Sequence, residues 1–511
     1  MFLKILEPLG WLYSIVAFLL GIYSVNMLVL TLIFWVRKLL RKPLPAVGLL
    51  ESALPVVTVQ LPLYNESQVA GRVVETIIKF DYPVDRLQIQ VLDDSTDETL
   101  PVVTEKVNYW RNQSHWIELH HRTDRTDYKA GALREGLRTA KGEFVVIFDA
   151  DFIPSPDWLK KALVPFFQPG GERIGFVQTR WSHLNDNFSL LTRAQALGLD
   201  AHFGIEQTVR ASTGLFMSFN GTAGIWRRAA LEEAGNWRGD TLAEDLDLSY
   251  RAQLCGWKAS FLRNVTAPAE LPVLMIGFKR QQFRWAKGSI QALMLLGKQI
   301  VNAPISIWHK IEAFLHLSGY MVHPLALSLL ILTLPLTLKL ENVMNRLPMG
   351  WVVVVGLGVP FAYITSQMTL YPPRRWWQWF VRMPVLSALG VGIAVNNTGG
   401  IIEAFLGKQS AFERTPKIGD IRHNDLTGKV IAERLKVSNS TWFELILGVY
   451  ALIDGILAVK DGNPIGAIFY ALYATGFMWV AVSTIWEAHA SRATHLISGV
   501  SPERALADDP D

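Results

Sequence analysis

The sequence predicts an α/β domain that is inserted between transmembrane α-helices. Two observations lead to this fold class. Strand-like and helix-like segments alternate between residues 55 and 152, which is typical of a parallel α/β sheet. Long apolar segments precede and follow the domain, and each is near or above the ~20 residues that a helix needs to cross a bilayer.

The composition also indicates a membrane protein. Half of the 511 residues are hydrophobic and 18% are charged, which is below the quarter typical of soluble domains. The formal net charge of +4 is small for this length and gives no indication of nucleic-acid binding. The single cysteine, Cys255, excludes an intrachain disulfide and a thiolate metal cluster, and it fits a reducing compartment.

Residues 1–40 are predicted to form an N-terminal transmembrane helix, because the apolar run within them is too long for a cleaved signal peptide. The basic stretch 36–42 follows this run, so we expect the next domain, residues 50–300, to be cytoplasmic. Residues 305–490 are expected to contain the later membrane helices, and residues 491–511 a cytoplasmic tail.

Five apolar runs follow the cytoplasmic domain, and they lie at 311–338, 350–370, 381–406, 442–459 and 464–486. The stretch "VNNTGG" interrupts the run at 381–406, so we expect an interfacial or re-entrant helix there rather than a plain span. The N-terminal helix and the four uninterrupted later runs give a prediction of five spans, and the run at 381–406 adds one interfacial helix.

The cytoplasmic domain contains four strand candidates. They are "VVTVQLPLY" from residue 56, "LQIQVLDD" from residue 87, "WIELHHR" from residue 116 and "FVVIFDAD" from residue 144. After the first strand, Val69, Val73, Val74 and Ile77 recur at helical spacing. A second helix is predicted over 128–142, directly before the fourth strand.

Two of these strands end in paired carboxylates. Asp93 and Asp94 end the second strand, and Asp149 and Asp151 follow the fourth. Ligands of parallel α/β sheets bind at the carboxyl ends of the strands, so we expect both pairs to face one cleft. Mg²⁺ and Mn²⁺ prefer oxygen ligands and are often held by one or two carboxylates plus substrate phosphates. An isolated D-x-D is more often a solvated turn, so this motif alone is weak evidence.

Two further groups add to the carboxylate pairs. Glu244 and Asp245 begin a predicted helix, where acids either complement the helix dipole or supply a general base. Gln281, Arg284 and Trp285 lie on neighbouring turns of another predicted helix, close to the membrane. Such a Trp and Arg often anchor a helix at the bilayer surface, but Trp also stacks on sugars and Arg binds diphosphate in a fork. The ordered combination favours catalysis.

In this order, "LDDS", "DAD", "AED" and Q-x-x-R-W resemble the motifs of the membrane-embedded glycosyltransferases of family 2, the cellulose synthase-like enzymes. The stretches at 219–228 and 243–258 look most like the plant subgroups that make glucomannan or a β-1,4-glucan. "FERTPK" at 412–417 is similar to the F-x-V-T-x-K gating loop of bacterial cellulose synthase. The resemblance covers about residues 55–420 and implies a nucleotide-sugar-binding domain of the GT-A type.

The resemblance implies a role for each aspartate. Asp94, with Asp93, would contact the nucleoside end of the donor. Asp149 and Asp151 would position a divalent metal, Mg²⁺ or Mn²⁺, on the donor diphosphate. Asp245 would be the general base that takes the proton from the acceptor hydroxyl.

The other implied contacts divide between donor and acceptor. The donor side comprises Lys129, Gln281, Arg284, Phe412, Thr415 and Lys417, of which the last three belong to a gating loop at 407–425. The acceptor side comprises Trp285, Glu244 and Asn220.

The sequence departs from the family pattern twice. The usual T-E-D is "AED" here, with Ala243 in place of Thr, and the Val of the gating loop is Arg414. The acid remains, but a hydroxyl that helps to orient its loop is lost. The Arg places a possible phosphate contact where the pattern has an apolar residue.

The implied enzyme is a processive hexosyltransferase that adds glucosyl or mannosyl units from UDP-glucose or GDP-mannose to a growing β-linked polysaccharide, with β-1,4 linkage and export expected. One base and no evident second carboxylate nucleophile favour a single inverting displacement, by analogy with glycosidases. Its expected partners are the nucleotide sugar, the polysaccharide and the lipid bilayer, with no nucleic acid. The expected location is a bacterial inner membrane or a Golgi membrane.

Two alternatives remain open at this stage. A non-processive enzyme that transfers one sugar to a membrane lipid needs the same aspartates, but usually fewer C-terminal helices and no gating loop. A transporter or scaffold would not need metal ligands, a base and a diphosphate clamp together.

Overall fold

The computed structural model describes residues 2–40, 54–337, 356–373, 376–409, 419, 435 and 437–497. Seven strands form one sheet. They are β1 (Val57–Leu63), β2 (Leu87–Asp93), β3 (Ile117–His121), β4 (Phe144–Ile147), β5 (Ile174–His183), β6 (Gly224–Arg227) and β7 (Lys258–Ala269). Their order across the sheet is β3-β2-β1-β4-β6-β5-β7.

Ten α-helices begin in the described part of the first three hundred residues. They are α1 (Phe2–Leu40), α2 (Ser67–Ile78), α3 (Thr99–Asn112), α4 (Tyr128–Thr139), α5 (Trp158–Leu163), α6 (Leu190–Ala201), α7 (Thr208–Thr213), α8 (Arg228–Glu233), α9 (Glu244–Leu254) and α10 (Met275–Asn302). α1 packs against other helices, and the later ones include those that pack on the sheet. A π-helical turn, His202–Gln207, joins α6 to α7. The four strands and the helices predicted within the domain are therefore present.

The sheet is mixed rather than wholly parallel. β1 pairs in parallel with β2 and β4, and β2 pairs in parallel with β3, as the alternation of strands and helices predicts. β6 is antiparallel to β4 and to β5, whereas β5 and β7 pair in parallel, so β6 is the strand of this sheet that runs in the reverse direction. The chain reaches β6 from the edge where β4 ends, since Gly224 lies opposite Ile147, and β6 must therefore run in the reverse direction.

The central strands are buried on both faces, which explains their nearly continuous apolar sequence. Every residue of β1, β2 and β4 is buried. Along β4, Val146 packs with α2, α3 and α5 on one face, whereas Val145 and Ile147 pack with α4, α8 and α9 on the other. Because this core holds β4 on both sides, the residues that follow it emerge at a defined point on the sheet edge.

Seven helices follow α10 within the described residues. They are α11 (Ile307–Leu317), α12 (Val322–Thr337), α13 (Gly358–Leu370), α14 (Gln378–Gly392), α15 (Ala394–Phe405), α16 (Asn439–Lys460) and α17 (Pro464–Ile497). Residues 338–355 lie outside the described residues, so the predicted run at 350–370 is described only from residue 356.

Three described helical segments are long and apolar enough to cross a membrane: Pro8–Leu40, Asn439–Lys460 and Pro464–Ser491. The number rises to five if each of two bent helix pairs forms one span. The bend is 57° between α11 and the helical segment Gly319–Thr333, and 44° between Phe380–Gly392 and α15. These helices associate the chain with a membrane, while the number and direction of the spans remain predictions.

Candidate active site

One cleft brings most of the predicted site residues together. It lies at the carboxyl edge of the sheet, beside the start of α9 and the first half of α10. The predicted residues that line it are Asp94, Lys129, Asp149, Asp151, Asn220, Glu244, Asp245, Gln281, Arg284 and Trp285. Phe412, Thr415 and Lys417 lie outside the described residues.

The first aspartate pair is divided between the cleft and the sheet interior. Asp94 lines the cleft, and both of its carboxylate oxygens accept hydrogen bonds from Arg122, at 2.8 and 2.6 Å. Asp93 is fully buried, and its Oδ2 lies 2.7 Å from Nδ1 of His121, its partner in β3. Asp93 is not among the residues that line the cleft, so the structure does not bring it to the predicted donor site. Successive side chains of a strand point in opposite directions, which explains the division.

The second aspartate pair follows β4 directly into the cleft. The backbone N–H of Asp149 donates to the hydroxyl of Thr222 at 2.9 Å, which fixes the chain at this point. Oδ1 of Asp149 lies 2.5 Å from Nζ of Lys129, and this ammonium also donates to the carbonyl of Gly221 at 3.0 Å. Asp151 is nearly fully buried, with 2% of its surface exposed, and it also lines the cleft.

These two carboxylates fit a divalent cation that is bound together with a diphosphate. No group of three or more His, Cys, Asp or Glu side chains that could hold a metal occurs in the part of the chain that the structure describes. A cation at Asp149 and Asp151 would therefore take further ligands from phosphate oxygens and water, which is the usual arrangement for Mg²⁺ at nucleotide sites.

Asp245 lies in the first turn of α9 and faces the cleft. Burial, together with the negative charge of Glu244, raises the pKa of Asp245 to about 7, although the positive charges of Lys129 and Arg284 oppose this shift. A carboxyl group with this pKa can accept a proton near neutral pH.

Two cations of the cleft, Arg284 and Lys129, lie among these acids. Burial lowers the pKa of Arg284, while the charges of Glu244, Asp149 and Asp245 oppose the shift. Burial also lowers the pKa of Lys129, but the neighbouring carboxylates outweigh burial, and the net effect is a raised pKa. Both side chains therefore bring positive charge to a cleft that is rich in carboxylates.

Gly221 permits the close approach of Asp245 to the neighbouring loop. Its φ is +77°, a region that L side chains rarely adopt. A Cβ atom at this position would lie 2.8 Å from Oδ2 of Asp245. The sequence analysis did not single out this glycine, because only the fold brings it against Asp245.

Asn220 is oriented by the π-helical turn. Its Oδ1 accepts a hydrogen bond from Gln207 at 2.7 Å, and its Nδ2 lies 3.2 Å from Nε2 of His202. Nδ1 of His202 in turn lies 3.0 Å from Glu206. Such π-helical turns often occur at functional sites. No sequence motif marks these supporting residues.

Four residues of the predicted gating loop, 407–409 and 419, are described, and Gly419 is the one that reaches the cleft. Gly419 accepts a hydrogen bond from Arg72 at 2.5 Å and donates to Glu270 at 3.3 Å. Arg72 and Glu270 also form an ion pair of 2.6 Å, and Glu270 lines the cleft. This point of the loop therefore lies beside the cleft.

A guanidinium also lies between aromatic rings at the cleft. The guanidinium carbon of Arg125 lies 3.3 Å from the ring centre of Tyr64 and 5.2 Å from that of Tyr128. All three residues line the cleft, and the sequence analysis did not identify them.

Comparison with known proteins assigns the family. Residues 55–288 match the family described as "Glycosyltransferase like family 2". The chain is 34% identical over 504 residues to the Arabidopsis thaliana protein named "Probable glucomannan 4-beta-mannosyltransferase 10", with 93% of this chain and 86% of the relative covered. The chain belongs to the cellulose synthase-like glycosyltransferases of family 2. This transferase is accordingly a hexosyltransferase.

Further comparisons agree with this assignment. The transferase is 35% identical to "Glucomannan 4-beta-mannosyltransferase 1" of Oryza sativa subsp. japonica, with 72% of this chain and 70% of the relative covered. Its fold resembles that of the mannosyltransferase PcManGT from Pyrobaculum calidifontis, with a TM-score of 0.53 and 21% identity. That alignment covers 79% of this chain and 100% of the neighbour. The GT-A fold that the motifs imply is therefore confirmed.

The raised pKa of Asp245 predicts an acid limb in the pH profile. As the pH falls through about 7, this carboxylate of the free enzyme takes up a proton and can no longer act as a base, so kcat/KM should decrease. Glu244→Gln removes one negative charge that raises this pKa, and the limb should move to lower pH. The measurement is release of nucleoside diphosphate from the nucleotide sugar between pH 5 and pH 9. An acid limb that stays in place in Glu244→Gln, or moves to higher pH, would contradict the assignment. Asp245→Asn should lower kcat by about 10²–10⁴-fold over the whole pH range.

Gly221→Ala should displace Asp245 and lower kcat by about 10–100-fold, because small misplacements of catalytic groups are costly. Binding of nucleoside diphosphate, measured by calorimetry, should stay close to that of the wild type. Gly214→Ala is a matched control, since Gly214 has a φ of +74° and no atom within 4 Å of the added Cβ. Equal losses of kcat in both variants would indicate general backbone strain and refute a specific effect on Asp245.

Proposed function

We propose that this enzyme transfers mannosyl units from GDP-mannose to the end of a growing β-1,4-linked polysaccharide, with inversion at the transferred carbon. One observation carries the proposal. Two sheet-edge carboxylates, Asp149 and Asp151, share one cleft with the acid Asp245 and with Arg284 and Trp285 of α10. This set supplies a diphosphate site, a base and a sugar platform in the same space.

Asp245 is the proposed base. Its raised pKa suits removal of the acceptor hydroxyl proton near neutral pH, while the hydroxyl oxygen attacks the anomeric carbon of the donor. The carbon–oxygen bond to the diphosphate breaks in the same displacement. With Asp245 as the base and with Asp149 and Asp151 assigned to the metal, a single displacement converts an α-linked donor to a β-linked product, by analogy with inverting glycosidases.

The leaving diphosphate needs positive charge around it. Arg284 lies in the cleft and presents a fork of N–H donors that fits phosphate oxygens. A divalent metal held by Asp149 and Asp151 would neutralise the remaining charge of the diphosphate when it is bound. Lys129 is paired with Asp149 in the structure. If a metal were bound to Asp149, the ammonium of Lys129 could contact the phosphate instead.

The relatives favour mannose over glucose as the transferred sugar. The two curated plant relatives are named glucomannan 4-beta-mannosyltransferases, and the fold neighbour PcManGT is described in complex with GDP-Man and Mn²⁺. The cleft supports a nucleotide sugar of either base, so GDP-mannose is the first donor to test and UDP-glucose the second.

A polymer is the preferred product, for two reasons. Trp285 at the cleft offers a flat apolar face to the sugar at the acceptor end. α10 also contacts helices of the apolar bundle, so a chain that grows past Trp285 would leave toward the membrane. This arrangement supports processive synthesis coupled to export, with the catalytic domain on the cytoplasmic side of a multi-pass protein.

The donor specificity can be tested with the detergent-purified chain. Release of nucleoside diphosphate should occur with GDP-mannose and Mn²⁺, and the product should be degraded by a β-1,4-mannanase. Turnover with UDP-glucose alone would identify a β-glucan synthase instead. A product that is a lipid with a single sugar, under all conditions, would refute polymer synthesis and support the lipid-acceptor alternative.

Asp151→Asn should abolish most of the metal-dependent turnover, because a neutral amide is a much weaker ligand for a hard cation. Binding of Mn²⁺ in the presence of GDP, measured by electron paramagnetic resonance, should weaken at least tenfold. Asp157→Asn changes a half-exposed carboxylate six residues further on, which pairs with Lys161 outside the cleft, and serves as the control. Unchanged Mn²⁺ binding in Asp151→Asn would remove Asp151 from the metal site.

A further inference from the structure

The helix that carries Gln281, Arg284 and Trp285 begins on a carboxylate of the last apolar helix. Glu487 of α17 accepts hydrogen bonds from the backbone N–H groups of Met275 and Ile276, at 2.7 and 2.9 Å. These N–H groups belong to the first turn of α10, where no intrahelical acceptor exists. A negative charge at this end also complements the helix dipole. The N-terminus of α10 is therefore fixed by a residue more than 200 positions away.

A buried ion pair holds the next turn of α10. Nζ of Lys279 lies 2.8 Å from Glu444 and 3.2 Å from the hydroxyl of Thr441, both on α16. Lys279 is 4% exposed and Glu444 is not exposed at all. Two charges in such surroundings must keep close contact, because separation leaves each of them buried and unpaired. The pair therefore restricts how α10 can move along α16.

The broken helix α15 holds α10 on a further side. The side-chain amide of Asn396 donates to the carbonyl of Lys279 at 2.9 Å, and Lys287 lies 2.9 Å from Glu403. A Cβ on Gly400 would lie 2.9 Å from the carbonyl oxygen of Phe283. The backbone next to Arg284 is therefore in close contact with α15.

α10 passes these constraints to the loop that carries the acid. The side-chain oxygen of Gln291 accepts a hydrogen bond from the N–H of Leu242 at 3.0 Å. A Cβ on Gly288 would lie 2.6 Å from the Cβ of Ala243, the residue directly before Glu244. An added Cβ at position 288 would overlap Ala243, so a glycine is needed there for α10 to pack against the loop of the acid.

We infer that Glu444 and Glu487 are positioning residues for the transferase site: they hold α10 on the last two apolar helices, so that Arg284 and Trp285 face the carboxylates of the cleft. The inference rests on the proposed roles of Arg284 and Trp285. A contact that served stability alone could be apolar, since buried ion pairs can often be replaced by apolar residues without loss of stability. The polar contacts at Met275, Ile276 and Lys279 are directional. They therefore fix the position of α10 along its own axis, which apolar packing alone would not do.

The test compares Glu444→Gln and Glu487→Gln in the full chain, purified in detergent. Each should lower kcat with GDP-mannose by at least tenfold and weaken binding of GDP with Mn²⁺ by at least threefold. Glu444→Gln should also lower the melting temperature, because it leaves Lys279 buried without its counter-charge, so kcat and GDP binding are measured well below the melting transition. Asp454→Asn is the matched control, because Asp454 is a buried carboxylate of α16 that makes no hydrogen bond with the described part of α10. It should keep wild-type kcat and GDP binding.

Exchange of the pair separates positioning from simple loss of stability. Lys279→Glu combined with Glu444→Lys rebuilds the ion pair in reverse and should recover kcat to within about threefold of the wild type. Folded single variants with wild-type kcat and GDP binding would overturn the inference. So would an exchanged pair that does not fold, or that stays as impaired as Glu444→Gln. Absence of turnover in the wild type itself would instead refute the proposed function.

Discussion

Concentration of negative charge at one edge of a buried sheet is the constraint on which the rest of the structure depends. Asp94, Asp149 and Asp151 follow buried strands, and Glu244 and Asp245 approach them from α9. Burial first, and then the negative charge of Glu244, raise the pKa of Asp245 in this cleft. This negative charge explains the cations that surround the carboxylates. It also fits a diphosphate substrate that binds together with a metal.

The cations near these carboxylates come from separate parts of the chain, so each part supports a different group of the cleft. Arg122 holds Asp94 from the end of β3, and Lys129 holds Asp149 from α4. Arg284 comes from α10, which belongs equally to the catalytic domain and to the apolar bundle. In the proposed function, the α/β domain provides the donor side of the cleft. The bundle, through α10, would determine where the acceptor meets the donor.

Much of the site could be predicted because its chemistry is local. The four first strands, the carboxylates after two of them, and Gln281, Arg284 and Trp285 on one helix all depend on short stretches of sequence. Residues that support them could not be predicted in the same way. His202 and Gln207 orient Asn220 from a π-helical turn with no recognisable motif. The antiparallel direction of β6 depends on where the preceding loops return to the sheet.

The sequence by itself determined the two-part plan of this protein: apolar runs long enough for a membrane, and an α/β domain whose strands end in carboxylates. Both features can be predicted from the sequence, because hydrophobic periodicity and the residues that end a strand depend only on neighbours in the chain. Only the tertiary structure decided that Asp94 faces the cleft while Asp93 is turned into the sheet against His121. Only the tertiary structure placed Gly221 against Asp245, and Glu444 and Glu487 against α10. These contacts join residues far apart in the chain, and their geometry arises when helices and strands pack together.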